Sequence, residues 1–111
     1  MANRDYLGNF ELIVLLSLIR LRENAYGVLI SREIEETTGR EVALASVYAT
    51  LDRLELKGLV CSNLGEPTPE RGGRAKKYFH ITARGLREVR DARRVLRKLW
   101  KRLPQLEGGA A

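Results

Sequence analysis

The chain has a single cysteine, Cys61, so no disulfide can close within it, and a reducing compartment, the cytoplasm, is the expectation. The thiol itself reads as a small apolar residue buried in a strand. There is one histidine, His80, with no second His or Cys at ligand spacing, so no metal is expected. Long apolar runs are missing: the longest, Leu12 to Leu16, is far below the ~20 residues of a membrane-crossing helix. The opening MANRDYLGNFEL lacks the shape of a signal peptide. Proline occurs only at 67, 69 and 104, where it stiffens a loop and stops a helix. No acid pair or nucleophile–base pair stands out, and Gly72-Gly73 has no phosphate-loop frame. Neither a cofactor nor an enzymatic activity is expected.

What is present is basic charge, unevenly placed. The 111 residues suit one small domain, of a size that often needs a partner copy for stability. The net charge is +6, which favours a polyanionic partner such as nucleic acid. Residues 1–70 carry seven Lys+Arg against eleven Asp+Glu. Residues 71–81 carry four cations and no acid, and residues 82–111 carry nine cations against three acids.

The periodicity predicts four helices and a hairpin. Asn9 is a plausible cap for a helix over Phe10 to about Leu21. That helix is apolar nearly all round, so it is expected to pack both in its own domain and against a partner subunit. A second helix, Tyr26 to about Thr38, presents Glu33, Glu35 and Glu36 outward and ends at Gly39. A third, Leu44 to about Lys57, follows a tight turn and ends at Gly58, making a helix-turn-helix. Ala43 stands where a capping Ser or Thr is expected. Leu59–Leu64 and Lys76–Ile81 read as strands of a hairpin, the second half-buried, with Phe79 and Ile81 on one face and Tyr78 and His80 on the other. Thr82 caps a last helix that runs to about Leu103 and stops at Pro104. Its stripe Leu86, Val89, Ala92, Leu96, Leu99 and Leu103 is close to a heptad, and nothing later in the chain can cover it.

The third helix carries Leu44, Val47, Leu51 and Leu54 on one face and Ser46, Ala49, Thr50 and Arg53 on the other. Arg71, Arg74, Lys76 and Lys77 follow in the hairpin loop, beside Gly72-Gly73. A helix with a small polar face suits a major groove, and a cationic hairpin suits phosphates or a minor groove. The candidate DNA-contacting residues are therefore Ser46, Tyr48, Thr50, Arg53, Arg71, Arg74, Lys76 and Lys77. Arg53 can fork onto guanine or meet phosphate, or it can pair with Asp52 or with a neighbour of Glu55 on a solvated face. Tyr48 can offer its hydroxyl to phosphate or simply fill space. The candidate dimer interface is Phe10, Leu86, Val89, Leu96, Leu99, Trp100 and Leu103.

These residues resemble a known family. AYGVLISREIEETTGREVALASVYATLDRLELKGLV, followed by ERGGRAKKYFHITARG, is similar to PadR-type transcriptional regulators, over about Leu7 to Leu103. The specific parts are Tyr26-Gly27, Val47-Tyr48, Leu51, Arg53-Leu54-Glu55, Gly58-Leu59-Val60, Gly73-Arg74, Lys77-Tyr78-Phe79, Thr82 and Gly85. Ala49, where many members carry proline, departs from the pattern. The resemblance implies a mostly α, α+β winged helix-turn-helix that dimerises through its C-terminal helix and represses transcription. The single C-terminal helix resembles the smaller subclass. Residues 1–81 would form the DNA-binding part, 82–104 the dimerisation helix of the same compact unit, and 105–111 a frayed tail. Members of this kind can hold a flat hydrophobic effector between subunits, which here would lie at Trp100 and Leu96, unless Trp100 is plain dimer core. The expected partners are double-stranded DNA with an inverted-repeat operator, a second copy, and a small hydrophobic ligand. The rival expectation is a winged-helix protein-interaction module that does not bind DNA.

Overall fold

A computed structural model of the chain describes residues 6–65 and 75–107. It contains α1 (Asn9–Leu21), a 3-10 turn (Arg22–Asn24), α2 (Gly27–Thr38), α3 (Leu44–Leu56), β1 (Val60–Leu64), β2 (Lys77–Ile81) and α4 (Ala83–Trp100). Gly8, not Asn9, is the N-cap of α1. Glycine has no side chain to cap with. The Glu11 carboxylate reaches back instead and accepts the Gly8 N–H at 2.8 Å.

The three N-terminal helices close one core. Val14, Leu15 and Leu18 of α1 meet Ile30 and Ile34 of α2 and Val47, Leu51 and Leu54 of α3, all at 2 % exposure or less. The remaining face of α1 is left open, with Leu16 43 % and Ile19 37 % exposed. Gly39, at φ 76°, turns the chain out of α2 in a left-handed conformation that costs a glycine little. The Ser31 hydroxyl donates to the Val42 carbonyl at 3.3 Å and ties the connection back to α2. As the sequence implied, α3 starts at Ala43 without a side-chain cap.

β1 and β2 pair antiparallel, from Val60 opposite Ile81 to Leu64 opposite Lys77. Phe79 anchors this hairpin at 1 % exposure. Its backbone N–H donates to the Ala25 carbonyl at 2.8 Å, so the wing is hooked to the segment before α2. Cys61 is exposed, contrary to the buried position expected of it. The strand begins at Val60, which points inward, and the alternation then sends Cys61 out.

Thr82 caps α4 as expected, accepting the Gly85 N–H at 3.0 Å and donating to the Gly58 carbonyl at 2.8 Å. Gly85 is buried where a Cβ would overlap the Leu59 carbonyl oxygen. Only the first half of α4 is packed. Val89, assigned from the sequence to a dimer interface, is 9 % exposed and belongs to the chain's own core. Beyond it the helix leaves the domain, with Val95 42 %, Leu96 43 %, Leu99 68 % and Trp100 60 % exposed. The radius of gyration, 16.2 Å, reflects this projection; a compact chain of this length has about 13 Å.

Candidate nucleic-acid interface

The helix-turn-helix leaves one face of α3 uncovered. Ser46, Tyr48, Ala49 and Arg53 are exposed on it. Thr50 is not: at 3 % exposure it is a buried polar residue, and its placement on the polar face is corrected. It follows Val47 by three positions and precedes Leu54 by four, so at 3.6 residues per turn it must share their buried stripe. Leu44 shifts the other way and is 40 % exposed at the edge of that stripe.

Tyr48 lies across the start of α2. A Cβ on Gly27 would collide with the Tyr48 ring, its Cε1 at 2.7 Å. The Tyr26-Gly27 pair and Tyr48, distant in sequence, are thus one contact, and Gly27 is required because the ring passes directly over the backbone. Tyr26 also meets the wing. Its ring packs edge-on against Tyr78, centroids 5.6 Å apart at 74°. The Lys76 ammonium sits 4.3 Å above the Tyr26 ring, which fixes the base of the wing relative to the helix-turn-helix. Lys77 is exposed beside Phe79, 5.5 Å from its ring. Arg71 and Arg74 lie outside the described residues.

A cluster that sequence reasoning missed stands behind α3. Glu11 of α1 is 5 % exposed. Its Oε2 accepts from Lys57 Nζ at 2.8 Å and from Arg53 Nε at 3.2 Å, while Oε1 holds Gly8 N–H. Arg53 Nη2 donates in turn to Thr50 Oγ1 at 3.4 Å, giving that buried hydroxyl its partner. Arg53 therefore pairs with neither Asp52 nor a neighbour of Glu55, but with α1. Burial pushes the Glu11 carboxyl up. The hydrogen bonds from Lys57, Gly8 N–H and Arg53 together outweigh burial and hold it below the usual carboxylate value. The only sequence signal was an acid inside a run of otherwise apolar helical positions.

The open face of α1 and the facing side of α4, from Leu86 to Trp100, form an apolar groove of about 480 Å³. Leu12, Leu16, Leu86, Val89, Leu96 and Trp100 line it, so Leu96 and Trp100 lie along one groove. Phe10 is half-buried against the core, and Leu103 is half-buried at the far end of the chain. Among the described residues no three His, Cys, Asp or Glu side chains converge on a metal position. His80 instead shares a 2.7 Å hydrogen bond with Asn63 Oδ1. No described helix is long and apolar enough to cross a membrane.

Comparison with known proteins agrees with this geometry. The model of the transcriptional regulator PadR-like family matches residues 15–91. A PadR family transcriptional regulator from Eggerthella lenta is 30% identical, with a TM-score of 0.65, covering 78% of this chain and 73% of that one. A PadR-like transcriptional regulator from Bacillus cereus superposes with a TM-score of 0.70 at 24% identity, over 91% and 93% of the two chains. F93 from STIV, a winged-helix DNA-binding protein, shares the fold alone, with a TM-score of 0.67 at 15% identity over 88% and 98%. No curated protein matches the chain in sequence. The matched segment takes in the whole helix-turn-helix, the wing and the packed half of α4, and the chain belongs to the PadR-like family of transcriptional regulators: a DNA-binding winged-helix protein, not an enzyme.

Proposed function

We propose that two copies pair through α4 and that the dimer represses transcription in the cytoplasm by occupying an inverted-repeat operator. One observation carries this reading: Leu96, Leu99 and Trp100 are 43 %, 68 % and 60 % exposed on a helix that projects from the domain. An apolar surface of that kind at the end of a small domain favours a two-fold partner. In such a pair Leu86, Phe10 and Leu103 flank the contact. The two α3 faces, with Ser46, Tyr48 and Arg53, are offered to successive major grooves. The wing carries Lys76, Lys77, Arg71 and Arg74 to the phosphates. A small hydrophobic effector suits the apolar groove at Leu96 and Trp100, and its entry would relieve repression by changing the pairing of the two copies.

The test of the DNA-binding surface is the salt dependence of binding. The double variant Lys76→Ala/Lys77→Ala should weaken binding to every duplex and flatten the slope of log K against log salt by about one unit per lost phosphate contact. An unchanged slope would remove the wing lysines from the interface.

A further inference from the structure

Arg53 is the only cation within α3, and its environment is unusual for a residue on an exposed face. Its Nε is committed to Glu11 Oε2 at 3.2 Å and its Nη2 to Thr50 Oγ1 at 3.4 Å. Yet its side chain remains 54 % exposed. A guanidinium is a rigid plane with five donors in fixed directions. Two engaged donors restrain that plane, and the exposure of the side chain leaves its other Nη donors accessible to a ligand at the α3 face.

Charge balance alone does not account for this arrangement. Lys57 already meets Glu11 at 2.8 Å, with its own side chain 20 % exposed against 7 % for Glu11, and one close cation neutralises one carboxylate. A carboxylate this deeply buried is costly to keep, and an apolar side chain could join α1 to α3 more simply. What Glu11 adds is orientation. A free arginine loses rotamer freedom when it meets DNA, whereas one already held in place loses less.

We propose that Glu11 is a positioning residue for DNA recognition: from α1 it holds Arg53 so that the outer edge of the guanidinium meets the duplex. This rests on the reading that the Arg53 face contacts DNA. Through Gly8, whose N–H binds the same carboxylate and which borders a second, smaller groove between α1 and α4, the start of α1 is tied to the orientation of Arg53.

The experiment is a double-mutant cycle read by fluorescence anisotropy at fixed salt. The probes are a duplex selected from a random library on the wild-type protein, and its scrambled counterpart. Glu11→Gln should weaken binding to the selected duplex about tenfold when Arg53 is present, and should have no further effect in the Arg53→Ala background. Lys57→Met, which breaks the other half of the cluster, should lower the melting temperature but leave affinity within about twofold. If Glu11→Gln does not fold, Glu11→Asp, which keeps the charge and withdraws the oxygens by one methylene, should show the same dependence on Arg53. Equal losses with and without Arg53, or no loss with Arg53 intact, would overturn the proposal. If Arg53→Ala itself leaves binding unchanged, the Arg53-face reading fails and the proposal with it. If Arg53→Ala weakens binding and Glu11→Gln does not, the positioning role alone fails.

Discussion

Replacing Gly85 by alanine sets two physical effects against each other, and the structure decides the sign. Gly85 lies in the first turn of α4, where helix propensity favours alanine by at most about 1 kcal/mol. A Cβ there, however, overlaps the Leu59 carbonyl oxygen and comes within 2.7 Å of Ile81 Cγ1. Backbone cannot swing aside as an exposed side chain can, so the first turn of α4 has to lift off Leu59, just before β1, and off Ile81 at the end of β2. That movement breaks the Thr82 cap on Gly85, worth about 1 kcal/mol. It also strains the bonds from the Thr82 hydroxyl to the Gly58 carbonyl and from the Thr82 N–H to the Leu59 carbonyl, each worth about 1 kcal/mol. Set against the propensity gain, the net loss is about 2 kcal/mol, a fall of roughly 10 °C in melting temperature for a domain of this size. Urea titration at one fixed protein concentration measures it, since pairing would otherwise shift the midpoint. A Gly85→Ala protein as stable as the wild type, or more so, would contradict the close approach of α4 to Leu59 and Ile81.

Three further outcomes follow from the packing and the charges. Changing Leu96 and Leu99 to Glu should abolish pairing and leave a folded monomer in sedimentation at micromolar concentration, because both side chains lie outside the chain's own core; a wild-type protein that is itself monomeric there would refute the dimer. Glu11 titrates below its unfolded value, so its contribution to stability is present above about pH 4.5 and is lost as the pH falls through the lower folded value. The stability difference between wild type and Glu11→Gln, from urea melts, should therefore be constant between about pH 5 and 7 and shrink below about pH 4; a difference that grows on acidification would contradict the assignment. The wing variant described above should lose affinity equally on specific and scrambled duplexes, since phosphate contacts carry no sequence.

The regular elements were legible because their signals are local. Thr82 signalled the α4 cap by its residue type and place before the helix, and alternation set Phe79 and Ile81 on one face of β2, although only the packing shows which face is the inner one. Thr50 was misplaced because its polarity was weighed above its angle on the helix, which sets it between Val47 and Leu54. Cys61 was misplaced because the strand was started one residue early, at Leu59, where the chain is still turning out of α3. Val89 reads as interface from the heptad stripe alone; only the packing of α4 against the domain shows that the stripe changes use halfway along. The Glu11 cluster was out of reach for another reason. Its partners stand 42 and 46 residues away, and no periodicity links them until α1 lies beside the end of α3.

In the proposed dimer a symmetric pair of α3 helices and wings grips duplex DNA. Footprinting the wild-type protein on DNA from its own upstream region tests it most directly. Protection should cover an inverted repeat, with half-sites centred about one helical turn, roughly 10 base pairs, or a multiple of it apart. Protection weakens steeply with salt. A single unpaired half-site, or protection indifferent to salt, would contradict it.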